Sequence, residues 1–114
     1  MSLTHALRGI KVFLAVTPNA YIHLGAVFLV IISGFYFCIS STEWLVLILA
    51  IGLVFVAEAL NTAVEIDINL TSPNYHPYAR DTKDVAAGAV LLSAVVAVII
   101  GLIIFLPKIQ NMLQ

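Results

Sequence analysis

The sequence predicts an all-α membrane protein, and two observations carry that prediction. The chain of 114 residues is 62% hydrophobic and only 10% charged, whereas a soluble domain is typically about 45–50% apolar and about 25% charged. Its apolar residues also fall into three long runs, each long enough to cross the roughly 30 Å hydrocarbon core of a membrane as a helix. The prediction is one membrane-embedded domain over residues 1–114 with three transmembrane helices.

The segment from about residue 3 to residue 15 is predicted to be an amphipathic helix on the membrane surface. Its apolar residues recur at helical spacing, and the opposite side carries His5, Arg8 and Lys11. A basic face opposite an apolar stripe is typical of a helix in the interface plane. A helix that only packs against the bundle would show the same pattern. Residues 17–19, which include Pro18, are expected to end this helix.

The polar residues between the apolar runs set the predicted ends of the spans. Trp44, which follows a predicted polar turn at 40–43, lies where an interfacial aromatic anchor is expected. Residues 67–82 contain two prolines and several turn formers and are predicted to form a loop with a short helical piece after Pro77. Asp84 is expected at the start of the next helix, and Pro107 at its end. The predicted spans cover about residues 20–40, 44–66 and 83–106.

The basic residues predict the orientation. With three spans, Arg8, Lys11, Arg80 and Lys83 lie on one side of the membrane and Lys108 on the other. The positive-inside rule then places the N-terminus and the 67–82 loop in the cytoplasm and the C-terminus outside. The net charge of −1 and the lack of a basic run give no reason to expect a nucleic-acid partner.

The most informative stretch is residues 57–65, at the cytoplasmic end of the second span. Glu58, Asn61 and Glu65 are spaced i, i+3 and i+7, which places them on one face of a helix. Glu58 lies 14 residues beyond Trp44, or about 21 Å along the helix, and is therefore still at membrane depth. Ionisable residues inside a membrane mark functional sites by default.

These residue types suit metal-assisted phosphoryl transfer to a hydroxyl. Glu58 is a candidate general base, and Glu65, nearer to water, is better suited to hold a hard cation such as Mg²⁺. Asn61 lies between them and can orient a ligand. Lys83 and Asp84, across the predicted loop, add a cation for phosphate and a further acid.

Two other interpretations of these acids stay open. Glu58 and Asn61 can act as polar contacts between helices, and acids inside membranes also carry protons or ions. A proton path requires acids that continue towards the other side of the membrane, and residues 45–57 contain none.

The same residues resemble a known family. The run from Glu58 to Glu65 reads EALNTAVE, and Tyr75-His76 and Lys83-Asp84 follow at fixed distances. These motifs resemble the prokaryotic diacylglycerol kinase and undecaprenol kinase family over nearly the whole chain. The run from Ser72 to Pro77, with Phe105-Leu106-Pro107 near the end, makes the sequence more similar to the undecaprenol kinase branch.

The resemblance implies an integral membrane lipid kinase of a prokaryotic plasma membrane. It implies a homotrimer of three-span subunits whose active sites are shared between neighbours near the cytoplasmic interface. ATP would be the phosphate donor, Mg²⁺ the cofactor, and diacylglycerol or undecaprenol the lipid alcohol. Glu58 would be the general base, Glu65 would hold Mg²⁺, and the lipid hydroxyl would lie near Glu58 and Asn61. The nucleotide would be bound by Asn61, Glu65, His76, Lys83 and Asp84.

Three positions depart from the pattern of that family. Thr17 stands where a glutamate usually helps to hold the Mg²⁺-nucleotide, Tyr21 where an arginine is usual, and Asn69 where an aspartate is common. Asp67 is no substitute for the missing glutamate, because it lies about 200° around the helix from Glu65. The alternative function is therefore a catalytically impaired homologue that binds lipid or nucleotide, or serves as a membrane scaffold.

Overall fold

The computed structural model describes residues 2–18 and 20–114, and all regular secondary structure in this part of the chain is helical. The all-α prediction is confirmed. Asn19, which belongs to the predicted break after the first helix, lies outside the described residues. The four helices are α1 (Leu3–Val16), α2 (Ala20–Tyr36), α3 (Ser41–Thr71) and α4 (Pro77–Met112).

Two of these helices are each long and apolar enough to cross a membrane. They are α3, with 31 residues, and α4, with 36 residues, which correspond to about 46 Å and about 54 Å. Both therefore exceed the roughly 30 Å hydrocarbon core. Among the described residues, α1 and α2 are long and apolar enough to cross a membrane only when they are taken as a pair. The chain bends by 105° at the break between them. The described chain thus holds two candidate spans, or three if the bent pair counts as one.

The predicted polar turn at residues 40–43 is wrong, because three of its four residues belong to the first turn of α3. Ser40 is the N-cap of that helix, and its hydroxyl accepts a hydrogen bond of 3.1 Å from the backbone N–H of Glu43. The Glu43 carboxylate in turn accepts from the backbone N–H of Ser40 at 3.0 Å. This reciprocal pair is a capping box, which starts a helix within a polar sequence.

The predicted bounds of the loop, residues 67–82, are wrong, although the helical piece predicted after Pro77 is confirmed as the start of α4. α3 continues to Thr71 and α4 begins at Pro77, so that residues 72–76 alone connect them. Proline is tolerated in the first turn of a helix, where its missing N–H has no partner to lose, and His76 caps that turn by accepting a 3.1 Å hydrogen bond from the N–H of Tyr78. As a result Asp84 lies about two turns inside α4 and not at its start.

Pro107 does not end α4, which continues to Met112. Lys108 stabilises this region, since its ammonium group donates to the backbone carbonyl of Ile104 at 3.0 Å and to the Glu43 carboxylate at 2.7 Å. The second contact joins the last turns of α4 to the first turn of α3.

The buried core lies near that same end of the molecule. α4 packs mainly against α3, and α1 contacts α3. Trp44, predicted as an interfacial anchor, packs here so closely on Gly34 that an added Cβ would lie 2.6 Å from its ring. Many large apolar side chains elsewhere are exposed in the single chain, as expected of surfaces that meet lipid or another subunit. The core comprises Ile39, Leu47 and Ile104, flanked by Val30, Phe37, Trp44, Ile51, Ile100 and Phe105.

Candidate active site

The three polar residues of α3 that helical spacing places on one face do line one cleft. This cleft, hereafter the polar cleft, has a volume of about 220 Å³. It lies where the chain after α1 meets the middle of α3 and one residue of α4. It is lined by Thr17, Pro18, Glu58, Asn61, Thr62, Glu65 and Val90.

Glu58 is buried, with 7% of its surface exposed, and its two carboxylate oxygens differ. Oε1 lies 2.9 Å from Nε2 of His23, a distance at which an imidazole N–H donates a hydrogen bond. Oε2 is hidden from solvent and has no hydrogen-bond partner among residues 2–18 and 20–114. His23, which is not among the site residues predicted from the sequence, therefore pairs with the candidate base.

Asn61 provides a second unpartnered acceptor, since its Oδ1 is also buried and has no hydrogen bond to any residue that the structure describes. A buried acceptor without a partner costs about 1–3 kcal/mol, and such groups are rare in native proteins. Glu58 and Asn61 both line the polar cleft, and each carries a buried acceptor oxygen without a partner among the described residues. This arrangement suits a ligand that brings an O–H group or a cation.

Thr17 takes part in the polar cleft, although it replaces the glutamate usual in the resembling family. Its hydroxyl shares a hydrogen bond of 3.1 Å with the hydroxyl of Thr62. Tyr21, the second departure, is 90% exposed and does not line the cleft.

The donor set of the polar cleft fits a magnesium ion that arrives with a nucleotide. Among residues 2–18 and 20–114, no three His, Cys, Asp or Glu side chains are grouped closely enough to hold a metal ion. The cleft does offer the exposed Glu65 carboxylate and the free Asn61 Oδ1. Protein sites commonly bind Mg²⁺ through one or two carboxylates, with substrate phosphates completing its shell. The cleft has ligands enough for that mode of binding.

Lys83, His76 and Asp84 do not line the polar cleft. The Lys83 ammonium group donates to Oδ1 of Asn69 at 2.7 Å, and both residues line a second cleft of about 240 Å³ together with His76. Asn69 lies four residues after Glu65, about 6 Å further along the same side of α3. Lys83 therefore contacts α3 just beyond the Glu65 end of the polar cleft. The exposed Asp84 lines neither cleft.

An apolar groove of about 390 Å³ meets the polar cleft at Glu58. The groove runs between α2, α3 and α4, and Glu58 and Val90 line both spaces. His23 and Glu58 are its polar residues. The remaining lining is Ala26, Val27, Val30, Ile51, Val54, Phe55, Val90, Ala94, Ala97, Val98 and Gly101.

Comparison with protein families decides the assignment. The model described as "Prokaryotic diacylglycerol kinase" matches residues 4–105. This chain belongs to the prokaryotic diacylglycerol kinase family. The predicted family is confirmed, and with it the prediction that the chain belongs to a class of enzymes, the kinases.

Relatives of this prokaryotic diacylglycerol kinase family member include the undecaprenol kinase of Bacillus subtilis (strain 168). It is 45% identical over 107 residues, which are 94% of this chain and 87% of the relative. The diacylglycerol kinase of Synechocystis sp. is 36% identical over 99% of this chain and 65% of its own length. The diacylglycerol kinase of Escherichia coli (strain K12) is 31% identical over 65% of this chain and 61% of its own length. The higher identity to the undecaprenol kinase agrees with the predicted branch, and no solved structure matches the chain.

Proposed function

We propose that this chain transfers the γ-phosphate of ATP to a membrane lipid alcohol, and that a polyprenol such as undecaprenol is the preferred alcohol. The observation that carries the proposal is the position of Glu58, which borders both the polar cleft and the apolar groove. A lipid alcohol has the same division, with one hydroxyl at the end of a long apolar chain. The groove of about 390 Å³ would take the part of the tail next to the hydroxyl, and the hydroxyl would lie at the carboxylate. The preference for a polyprenol follows the 45% identity to an undecaprenol kinase.

In the proposed reaction Glu58 is the general base. Its free Oε2 accepts the proton of the lipid hydroxyl while the hydroxyl oxygen bonds to the γ-phosphorus of ATP. The bond from that phosphorus to the bridging oxygen breaks, so that ADP leaves and a lipid phosphate remains. Glu58 later releases the proton to water, which balances the reaction.

The nucleotide is proposed to lie along the side of α3 that carries Asn61, Glu65 and Asn69. Asn61 and Glu65 line the polar cleft, and Lys83 contacts Asn69 beyond it. Asn69 is 11 residues after Glu58, or about 16 Å along the helix, which leaves room for an extended triphosphate. Glu65 would hold Mg²⁺ together with the phosphates, and the ion supplies charge neutralisation when bound. His76 shares the second cleft with Lys83 and is assigned to the nucleotide as well.

The assembly is proposed to be a homotrimer of three-span subunits in a prokaryotic plasma membrane. α1 would lie on the cytoplasmic surface, with α2 as the first span and the C-terminus outside. Asp84 and Tyr21 are exposed in the single chain, so both are available to the active site of a neighbouring subunit. The family resemblance and the exposed apolar helix faces support this arrangement.

A second candidate function is a catalytically impaired family member that binds lipid or nucleotide. Thr17 favours it, because a hydroxyl bonded to Thr62 replaces a carboxylate that would otherwise lie in the same cleft as Glu65. Only one carboxylate other than Glu58 then lines the polar cleft, and Mg²⁺ binding is expected to be weaker.

A transfer assay separates the two functions. Purified protein in detergent micelles is incubated with γ-labelled ATP, Mg²⁺ and either undecaprenol or diacylglycerol. We expect label in both lipid phosphates, with the faster transfer to undecaprenol. If neither lipid is labelled while a known lipid kinase is active under the same conditions, the kinase proposal is wrong and the impaired homologue is the better description.

A further inference from the structure

We propose that His23 is a positioning residue for the candidate base Glu58. Its imidazole holds one carboxylate oxygen of Glu58 and leaves the other oxygen to accept the proton of the lipid hydroxyl. The inference rests on the proposed lipid kinase function and gives a role to a side chain that acts only through Glu58.

The contact joins two helices. His23 is the fourth residue of α2 and Glu58 lies in the second half of α3, and their Nε2 and Oε1 atoms are 2.9 Å apart. The carboxylate of a glutamate turns easily about its last side-chain bond, since that torsion has broad minima. A hydrogen bond from a different helix restricts this rotation and selects which oxygen stays free.

The two oxygens of Glu58 show the asymmetry that a base requires. A carboxylate that only joins helices gains most when both of its oxygens are hydrogen-bonded, because each unpaired oxygen costs desolvation energy. Here Oε1 is paired with His23, whereas Oε2 is buried and has no partner in the part of the chain that the structure describes. The asymmetry favours a base with one oxygen reserved for a ligand over a purely structural contact.

Glu58 and His23 differ in how exposed they are and in which spaces they line. The Glu58 side chain is 8% exposed and the His23 side chain is 38% exposed. His23 lines the apolar groove but not the polar cleft that contains Asn61 and Glu65. Its hydrogen bond therefore reaches the carboxylate from the groove side, away from the proposed nucleotide site. Loss of the imidazole should slow the transfer step without weakening nucleotide binding.

Two substitutions of His23 separate positioning from other roles. His23→Leu removes the donor, whereas His23→Gln keeps an N–H₂ group at the same distance from the backbone as Nε2. We expect His23→Leu to lower kcat between about tenfold and a hundredfold, as small misplacements of catalytic groups do. The KM for ATP should change less than about twofold, because nucleotide contacts remain. His23→Gln should recover kcat to within about threefold of the wild type.

Control measurements test whether the His23 variant folds and whether His23 pairs with Glu58. His5→Leu makes the same change at a histidine of α1 that lines neither the cleft nor the groove, and it should keep the wild-type kcat. Circular dichroism and thermal melting of His23→Leu should show the wild-type helix content. In ¹⁵N-histidine spectra, Glu58→Gln should shift the Nε2 resonance of His23 and leave that of His5 unchanged.

The outcomes that would overturn the proposal are specific. A His23→Leu protein with wild-type kcat shows that Glu58 needs no positioning. A His23→Gln protein as slow as His23→Leu shows that a titrating imidazole, and not a hydrogen-bond donor, is required. Failure of the kinase function itself is distinguishable, because the wild-type protein would then transfer phosphate to no lipid. Failure of positioning leaves the wild type active.

Discussion

Unpartnered polar atoms mark the proposed site at the scale of single residues. Oε2 of Glu58 and Oδ1 of Asn61 are buried without hydrogen bonds to the described residues, although most buried polar atoms in proteins have a partner. The hydroxyl of Thr17, by contrast, is satisfied by Thr62. A lipid hydroxyl and a nucleotide would supply what the first two atoms lack.

Helical spacing predicts part of this site from the sequence. The spacing of Glu58, Asn61 and Glu65 is local, because every α-helix turns about 100° per residue. The contact between His23 and Glu58 depends on how α2 packs against α3, which spacing does not encode. A usable signal was present nonetheless. His23 carries the one ionisable group, other than tyrosines and Cys38, in the first apolar run, and such groups inside a membrane usually have a partner.

Thr17→Glu is expected to strengthen the binding of Mg²⁺ with ATP. Thr17 lines the same cleft as Glu65, so a carboxylate at this position adds an oxygen ligand near the first. We expect the half-saturating Mg²⁺ concentration to fall about tenfold, since ligand charge sets the affinity for hard cations. Initial transfer rates titrated with Mg²⁺ at constant ATP measure this. Thr17→Gln is the neutral control, and an equal Mg²⁺ dependence of the two variants would show that residue 17 does not reach the ion.

At the scale of helices, the apolar runs predict where helices exist but not where they end. α3 extends to Thr71 and α4 begins at Pro77, within a stretch whose polar composition predicts a loop. Outside the hydrocarbon core a polar segment can still be helical if its ends are capped. These helix ends matter for the site, because Lys83, which donates a hydrogen bond to Asn69, belongs to α4 and not to a loop.

The close contact of α2 with α3 at Gly34 gives a prediction about stability. A Cβ at this position would lie 2.6 Å and 2.8 Å from ring atoms of Trp44, so Gly34→Ala should force a shift in a packed region. Overpacking of this kind typically costs about 1–3 kcal/mol.

Gly52→Ala is the matched control. Apart from the adjoining residues and backbone of its own helix, no atom of the described residues lies within 4 Å of a Cβ added at Gly52, and alanine favours the helix over glycine by up to about 1 kcal/mol. Unfolding in mixed micelles by titration with a denaturing detergent measures both variants. Gly34→Ala should unfold earlier than the wild type and Gly52→Ala should not. Equal midpoints for Gly34→Ala and the wild type would contradict the packing seen at Trp44.

At the scale of the whole molecule, hydropathy predicts a membrane protein because the free energies of transferring apolar side chains from water to the membrane add up along a segment. It does not predict which apolar faces meet another subunit, since lipid tails and leucine side chains are equally apolar. The proposed homotrimer therefore rests on the family resemblance, and the proposed orientation rests on the uneven distribution of lysine and arginine.

Cysteine labelling tests the proposed orientation. In a Cys38→Ser background, single cysteines are placed at Asn74, between α3 and α4, and at Gln110, near the end of α4; both positions are exposed. The positive-inside rule predicts that Asn74 faces the cytoplasm. A membrane-impermeant maleimide should then label Gln110→Cys in intact cells, and Asn74→Cys only after permeabilisation. The reverse pattern would invert the topology and place the polar cleft on the side without ATP.

The rate of phosphate transfer by Glu58→Gln tests the central claim most directly. The change keeps the size of the side chain and an oxygen that can accept from His23, but it removes the base. Glu43→Gln is the control, because Glu43 lies at the other end of α3, beside Lys108. We predict that Glu58→Gln lowers transfer to undecaprenol at least about 1,000-fold, within the range that general base catalysis supplies, while ATP affinity and Glu43→Gln activity stay near wild type. A Glu58→Gln protein within tenfold of the wild-type rate would contradict the account.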